Sequence, residues 1–305
     1  MPVWKRQGVL LAAPTPQEWA RSHAALPAAE PLGHDLFRLY YSPRDEHGRA
    51  HVARATVRAR AGGLEIAAID PVPVLAPGRI GAFDESGVTV SCVVPDGGRT
   101  LLYYTGWTRG ESVPFYFYAG AAVSEDGGET FTRVSEAPIL ERNAVDPFLT
   151  ASPCVLRDGG RWRMWYVSCV AWEERPDGPR HRYHLRYAES DDAIAWRRDG
   201  RVAVDFADAS EYALARPCVR REHGRYRMWF SARGAAYRLA YAESADGETW
   251  KRLPCAPLLG AETDGWDAEM SAYPWVVDAG GARHLLYNGN GYGRTGIGYA
   301  TEAAS

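Results

Sequence analysis

Residues 153–168 read PCVLRDGGRWRMWYVS: a short apolar run, a turn carrying two glycines, then a run in which aromatic and aliphatic residues alternate with arginines. That pattern is a β-hairpin. It recurs without gaps as SCVVPDGGRTLLYYTG from Ser91, PCVRREHGRYRMWFSA from Pro217 and PWVVDAGGARHLLYNG from Pro274. Repetition at a spacing of several tens of residues marks a propeller, solenoid or array, and here the repeated unit is made of strands. A β-propeller is the expected architecture.

Each core hairpin is followed by a third strand, a turn and a fourth strand. The stretches are AAVSEDGGETFTRV after Gly120, LRYAESDDAIAWRRDG after His184 and LAYAESADGETWKRL after Arg238. The first has the Ser-x-Asp-x-Gly-x-Thr-aromatic form of an Asp-box turn and the others are near variants. In such turns Ser and Asp bond local backbone, so these acids read as hairpin staples. The segment around Tyr40-Tyr41 carries the hairpin more loosely, which makes five blades. The last blade supplies only three strands after Met270 and would leave an exposed sheet edge. Trp4-Lys5-Arg6 resembles the fourth-strand signatures Trp196-Arg197-Arg198 and Trp250-Lys251-Arg252. The expectation is therefore an all-β, five-bladed β-propeller, one domain over residues 1–305, whose ring is closed by the N-terminal strand completing the last blade.

The chain has 305 residues, 46% hydrophobic and 12% aromatic, ample for such a core. A formal net charge of -3 gives no general attraction to nucleic acid or anionic membranes. There is neither a bilayer-length apolar run nor a signal peptide with its cleavage site, and the expected location is cytoplasmic. Of the five cysteines, Cys92, Cys154 and Cys218 share one position of the repeat, which suits packing rather than disulfides or metal ligands. No cofactor and no metal-ligand spacing is read from the chain. The oligomeric state is not readable.

The repeat also sorts carboxylates. Eight residues before Cys92, Cys154, Cys218 and Trp275 stand Asp84, Asp146, Ser210 and Asp267, with Glu85, Glu211 and Glu269 one or two further on. Acids just before the innermost strands are placed to ring a central cavity, as glycoside cleavage requires; the alternative for Asp84 and Asp146 is loop capping. Arg216 interrupts an apolar strand and needs a carboxylate, a substrate or an internal partner. His23, Arg44 and Asp45 precede or follow first-blade strands that point to the same mouth, with a satisfied histidine and a turn ion pair as their alternatives. Trp107 and Trp172 lie in polar inserts suited to a sugar platform, Tyr273 leads into the last inner strand, and Asn288, Asn290 and Arg294 offer donors in YNGNGYGRTG.

FDESG before VTVSCVV, DPFLTASPCV, EYALARPCV and MSAYPWV resemble the five-bladed propeller glycosidases of glycoside hydrolase families 32, 43, 62, 68 and 130, over essentially the whole chain. By that resemblance Asp84 is the base, Asp146 the tuning carboxylate and Glu211 the acid, with Glu269 and Arg216 holding substrate. Arg21 and Ser22 stand where the family begins its catalytic set, so the triad is shifted by one blade. The resemblance implies a glycoside hydrolase-like enzyme, or a phosphorylase using Arg44, Arg216 and Arg294, acting on a small soluble carbohydrate. Two alternatives stay open: a non-hydrolytic cyclase, lyase or transferase tailoring a sugar-like molecule, and a non-catalytic carbohydrate-binding propeller.

Overall fold

The computed structural model describes residues 3–253, 259 and 264–303. Strand β1 (Trp4–Leu11) is followed by β2 (Ser22–Pro31), β3 (Leu36–Arg44), β4 (Ala53–Arg60) and β5 (Gly63–Ile69), which form a meander. The second meander is β6 (Gly87–Asp96), β7 (Arg99–Arg109), β8 (Phe115–Ser124) and β9 (Thr132–Arg133). Next come β10 (Thr150–Asp158), β11 (Arg161–Glu173), β12 (Arg180–Ser190) and β13 (Val202–Val204). They are followed by β14 (Ala213–Glu222), β15 (Arg225–Arg233), β16 (Tyr237–Ser244) and β17 (Lys251–Arg252). A single parallel bridge, Tyr183 to Ala213, joins these two meanders. The chain ends with β18 (Ala272–Ala279), β19 (Ala282–Asn288), the one-turn helix α1 (Asn290–Gly293) and β20 (Ile297–Glu302).

The protein is thus all-β, as a propeller requires. β1 pairs antiparallel with β20, from Trp4 opposite Glu302 to Leu11 opposite Ile297, and stands at the edge of the β18–β19–β20 sheet. The first strands touch one another in sequence, β2 on β6, β6 on β10, β10 on β14 and β14 on β18, and β18 touches β2. Apolar alternation in the second strands buries Tyr40, Tyr103, Trp165, Trp229 and Tyr287 almost completely between neighbouring sheets. The Asp-box turns close by the bonds their residues suggest. Asp126 accepts from Ser124 Oγ at 2.6 Å and from the amides of Glu129 and Thr130 at 3.0 Å, and Asp192 and Asp246 repeat this with Ser190 and Ser244. Cys92, Cys154, Cys169 and Cys218 are free and buried, and Cys255 lies outside the described residues. No helix among the described residues is long and apolar enough to cross a membrane.

Candidate functional site

Every inner strand carries a register break two residues before the position held by Cys92, Cys154 or Cys218. The breaks fall at Val90/Cys92, Ala151/Cys154, Ala215/Cys218 and Ala272/Trp275, and between Ala25 and Ala28 in the first sheet. A bulge of this kind re-aims a side chain. At four of the five bulges a non-glycine residue takes a positive φ: Leu26 at 58°, Ser152 at 48°, Arg216 at 53° and Tyr273 at 59°. The strained backbone is held by polar groups on the neighbouring sheets. Asn288 Oδ1 accepts from the Leu26 amide at 2.7 Å, Ser42 Oγ from Val90 at 3.0 Å, Thr105 Oγ1 from Ser152 at 2.8 Å and Ser231 Oγ from Tyr273 at 2.7 Å.

These re-aimed residues meet in one cavity of about 350 Å³ to which each of the five inner strands contributes, through Leu26, Thr89, Ser152, Arg216 and Tyr273. Its volume falls at the lower end of the roughly 300–1,000 Å³ typical of small-molecule sites. Trp107, Phe115 and Phe117 wall one side. Trp107 lies there because Gly87, at φ 152°, leaves room for its indole; a Cβ on Gly87 would collide with Trp107 Nε1. Tyr183 and Tyr237, whose hydroxyls are 2.6 Å apart, Thr105 and Arg44 also line it.

Arg216 is 2% exposed and crosses the centre. Its Nη1 donates to the carbonyls of Val90 and Ser91 and its Nη2 to that of Pro27, each at 2.7 Å. Burial lowers its pKa to about 10, which leaves it charged at neutral pH. Among the described residues no Asp or Glu lines the cavity. The Tyr273 hydroxyl is held protonated by burial, its pKa raised well above the usual value. His23, 7% exposed and 2.9 Å from Ser22 Oγ, has its pKa lowered to about 4 by burial and by Arg44 and Arg294.

The sequence-predicted carboxylates sit elsewhere. Asp84, 1% exposed, accepts from Tyr104 at 3.2 Å and Arg133 Nε at 2.8 Å, and its Oδ1 is buried without a hydrogen-bond partner among the described residues. Asp146 accepts from Tyr166, Ser168, Arg186 and Arg198. Asp267 accepts from Tyr287 at 2.8 Å and Arg6 Nε at 3.0 Å. The three sheets therefore share one device: an acid before the first strand, a tyrosine on the second and an arginine at the fourth. In the fourth sheet Phe230 stands for the tyrosine and Ser210 for the aspartate, and Glu211 binds the equivalent Arg252 through both oxygens at 2.6 and 2.8 Å. Glu211 borders a different recess, beside Arg252 and Arg238.

Of the other expected contacts, Arg44, Trp107, Arg216 and Tyr273 come together at the cavity. Asp45 instead closes a turn onto Arg49 and His51, and Glu85 accepts from the Gly81 amide. Trp172 packs on Phe115 and His181, behind the cavity wall. Asn288 holds Leu26, Ala24 and Gly296, and Asn290 accepts from the amides of Glu269 and Met270. Arg294 is exposed near His23. Leu26, Ser152, Tyr183 and Tyr237 escaped the sequence reading. The signal for Ser152 was present: two residues before the shared cysteine, the repeats differ while their neighbours agree. Among the described residues no group of three or more His, Cys, Asp or Glu is placed to hold a metal ion.

The fold is similar to that of solved glycoside hydrolases. A glycoside hydrolase superposes with a TM-score of 0.75 at 17% identity, over 100% of this chain and 93% of its own. A thermostable family-43 glycoside hydrolase gives 0.68 at 15% identity, covering 95% and 90%. A member of the GH130 family of mannoside phosphorylases, which contains glycoside hydrolases that target β-1,2 mannosidic linkages in Candida mannan, gives 0.73 at 15% identity, covering 100% and 96%. No family model matches the chain. In sequence it is 42% identical over 297 residues to "Uncharacterized protein Rv1502" of Mycobacterium tuberculosis H37Rv, covering 97% of this chain and 98% of that one. "Uncharacterized protein MT1551" of strain CDC 1551 matches with the same identity and coverage. The chain belongs to the family of these mycobacterial proteins.

Proposed function

We propose that the protein is a single-domain, five-bladed propeller, closed by β1, that binds a small soluble carbohydrate at the centre of its ring. The observation that carries this reading is the cavity itself. It draws a side chain from every inner strand and brings together aromatic faces (Trp107, Phe115, Phe117) and hydroxyls (Thr89, Thr105, Ser152). Aromatic faces suit the C–H faces of a sugar and hydroxyls suit its own, and the glycosidase-like fold favours the same ligand class.

Cleavage by Asp84, Asp146 and Glu211 draws no support from their positions. A general acid must reach the leaving oxygen with its carboxyl free to donate. Each of the three instead pairs with an arginine. The fourth sheet, where tyrosine and aspartate are replaced together and Glu211 takes over the same arginine, speaks for a scaffold role. We therefore favour carbohydrate recognition over two-carboxylate hydrolysis.

The test is calorimetric titration of a sugar panel alongside an aryl-glycoside cleavage assay, with and without phosphate. Binding without cleavage, unchanged in Glu211→Gln, is expected. Cleavage that falls by about 100-fold or more in Glu211→Gln would return the acid role to Glu211 and defeat this reading.

A further inference from the structure

A guanidinium has five N–H donors, and one buried without acceptors for them is costly. Arg216 gives two from Nη1 and one from Nη2 to backbone carbonyls, and its Nε–H and second Nη2–H meet no protein acceptor among the described residues. The group faces the cavity, is 2% exposed, and has no carboxylate beside it among the described residues. A buried cation satisfied only by neutral carbonyls leaves a net positive charge in a low-dielectric recess.

The surroundings add to that charge. Arg44 lines the same cavity and enters no ion pair among the described residues. Its guanidinium reaches solvent at the rim, its pKa is lowered by partial desolvation, and the like charge of Arg294 repels rather than neutralises it. Tyr273 contributes a phenolic donor near both Arg44 and Arg216, and Ser152 a hydroxyl from β10. Every ionised or strongly donating group in the lining favours an acceptor-rich, negative partner.

We infer that the ligand of this cavity carries its own oxyanion, a carboxylate or a phosphate ester, which docks on the free donors of Arg216 with Arg44 and Tyr273 alongside. Charge-assisted bonds from a guanidinium to such oxygens are about twice as strong as neutral ones. The substrate class becomes a sugar acid or sugar phosphate, which deepens and rests on the carbohydrate reading above.

The experiment is calorimetric titration of the full chain with neutral hexoses, the matching hexuronates, the matching hexose 6-phosphates and inorganic phosphate, in the gluco, galacto and manno series. At least one anionic sugar is expected to bind about 10-fold or more tightly than its neutral parent. Its affinity should fall as sodium chloride is raised. Preference for hexuronate or hexose phosphate distinguishes carboxylate from phosphate. Arg44→Gln, at an exposed position, should weaken that ligand about 10-fold with an unchanged melting temperature, which separates docking from folding in a way that replacing the central Arg216 would not. Equal binding of neutral and anionic sugars, or no effect of Arg44→Gln, overturns the anion site and leaves the carbohydrate reading standing. Inorganic phosphate binding as tightly as every hexose phosphate upholds the anion site and overturns the carbohydrate reading. Failure of all of them to bind overturns both.

Discussion

Asp146 is completely buried and receives Ser168 at 2.6 Å, Arg198 at 2.8 Å, Tyr166 at 2.9 Å and Arg186 at 3.2 Å. A carboxylate so held has its lone pairs occupied, and its loss strands two guanidiniums. Asp146→Asn should therefore destabilise the fold by about 3–5 kcal/mol, the range for breaking a buried ion pair on one side, read from urea unfolding. Asp84→Asn, which frees one arginine, should cost less. Titration acts at the same scale through buried imidazoles. His23 and His181 each have pKa values lowered to about 4, chiefly by burial, with nearby arginines adding to it. An unfolded histidine takes up its proton near 6.5, so below that pH the unfolded chain binds more protons than the folded one. Stability should be full above about pH 6.5 and decline as pH falls toward 4. Melting temperatures across that window should show the decline, and His181→Gln should flatten it.

Between residues and the whole lies the strand-and-turn unit, and the Asp-box turns do more than close hairpins. Tyr103 of β7 donates to the Ala193 carbonyl in the next sheet's turn at 2.8 Å, and Trp165 of β11 to the Gly247 carbonyl of the sheet after it, also at 2.8 Å. Each turn thus locks the second strand of the preceding sheet. Trp229 on β15 is the repeat-equivalent of Trp165, but β20 and β1 are not joined by a turn, and its Nε1 is buried with no acceptor among the described residues. Trp165→Phe should accordingly lose about 1 kcal/mol more than Trp229→Phe in denaturant melts. Hairpins such as β10–β11 were legible in the sequence because alternation and turn glycines are local. The cavity was not. Which residue faces it depends on a bulge that shifts the strand by one position and exchanges its faces. The acids misled for a similar reason. Their partners Arg133, Arg198 and Arg252 stand at the third place of Phe131-Thr132-Arg133, Trp196-Arg197-Arg198 and Trp250-Lys251-Arg252, 41 to 52 residues downstream. Read as a strand signature alone, that motif conceals its ionic role.

For the whole molecule the pairing of β1 with β20 is decisive, because it covers an edge that would otherwise present unpaired amides and carbonyls. It also brings Arg6 to Asp267 and Trp4 into the cluster around Trp229, Leu285 and Tyr287. Deleting residues 1–12 should produce a protein that unfolds at lower temperature or aggregates, measured by thermal melts and light scattering. A soluble truncation with the original melting curve would argue against closure by this strand. The same pairing sets a clock on synthesis. Trp4 is translated 302 − 4 = 298 residues ahead of its partner Glu302. At about 5–20 residues per second the first strand waits roughly 15–60 s for its neighbour. Through that interval the nascent chain carries an unpaired strand and an unfinished sheet, so factors that shield emerging chains should govern its yield more than the stability of the finished fold.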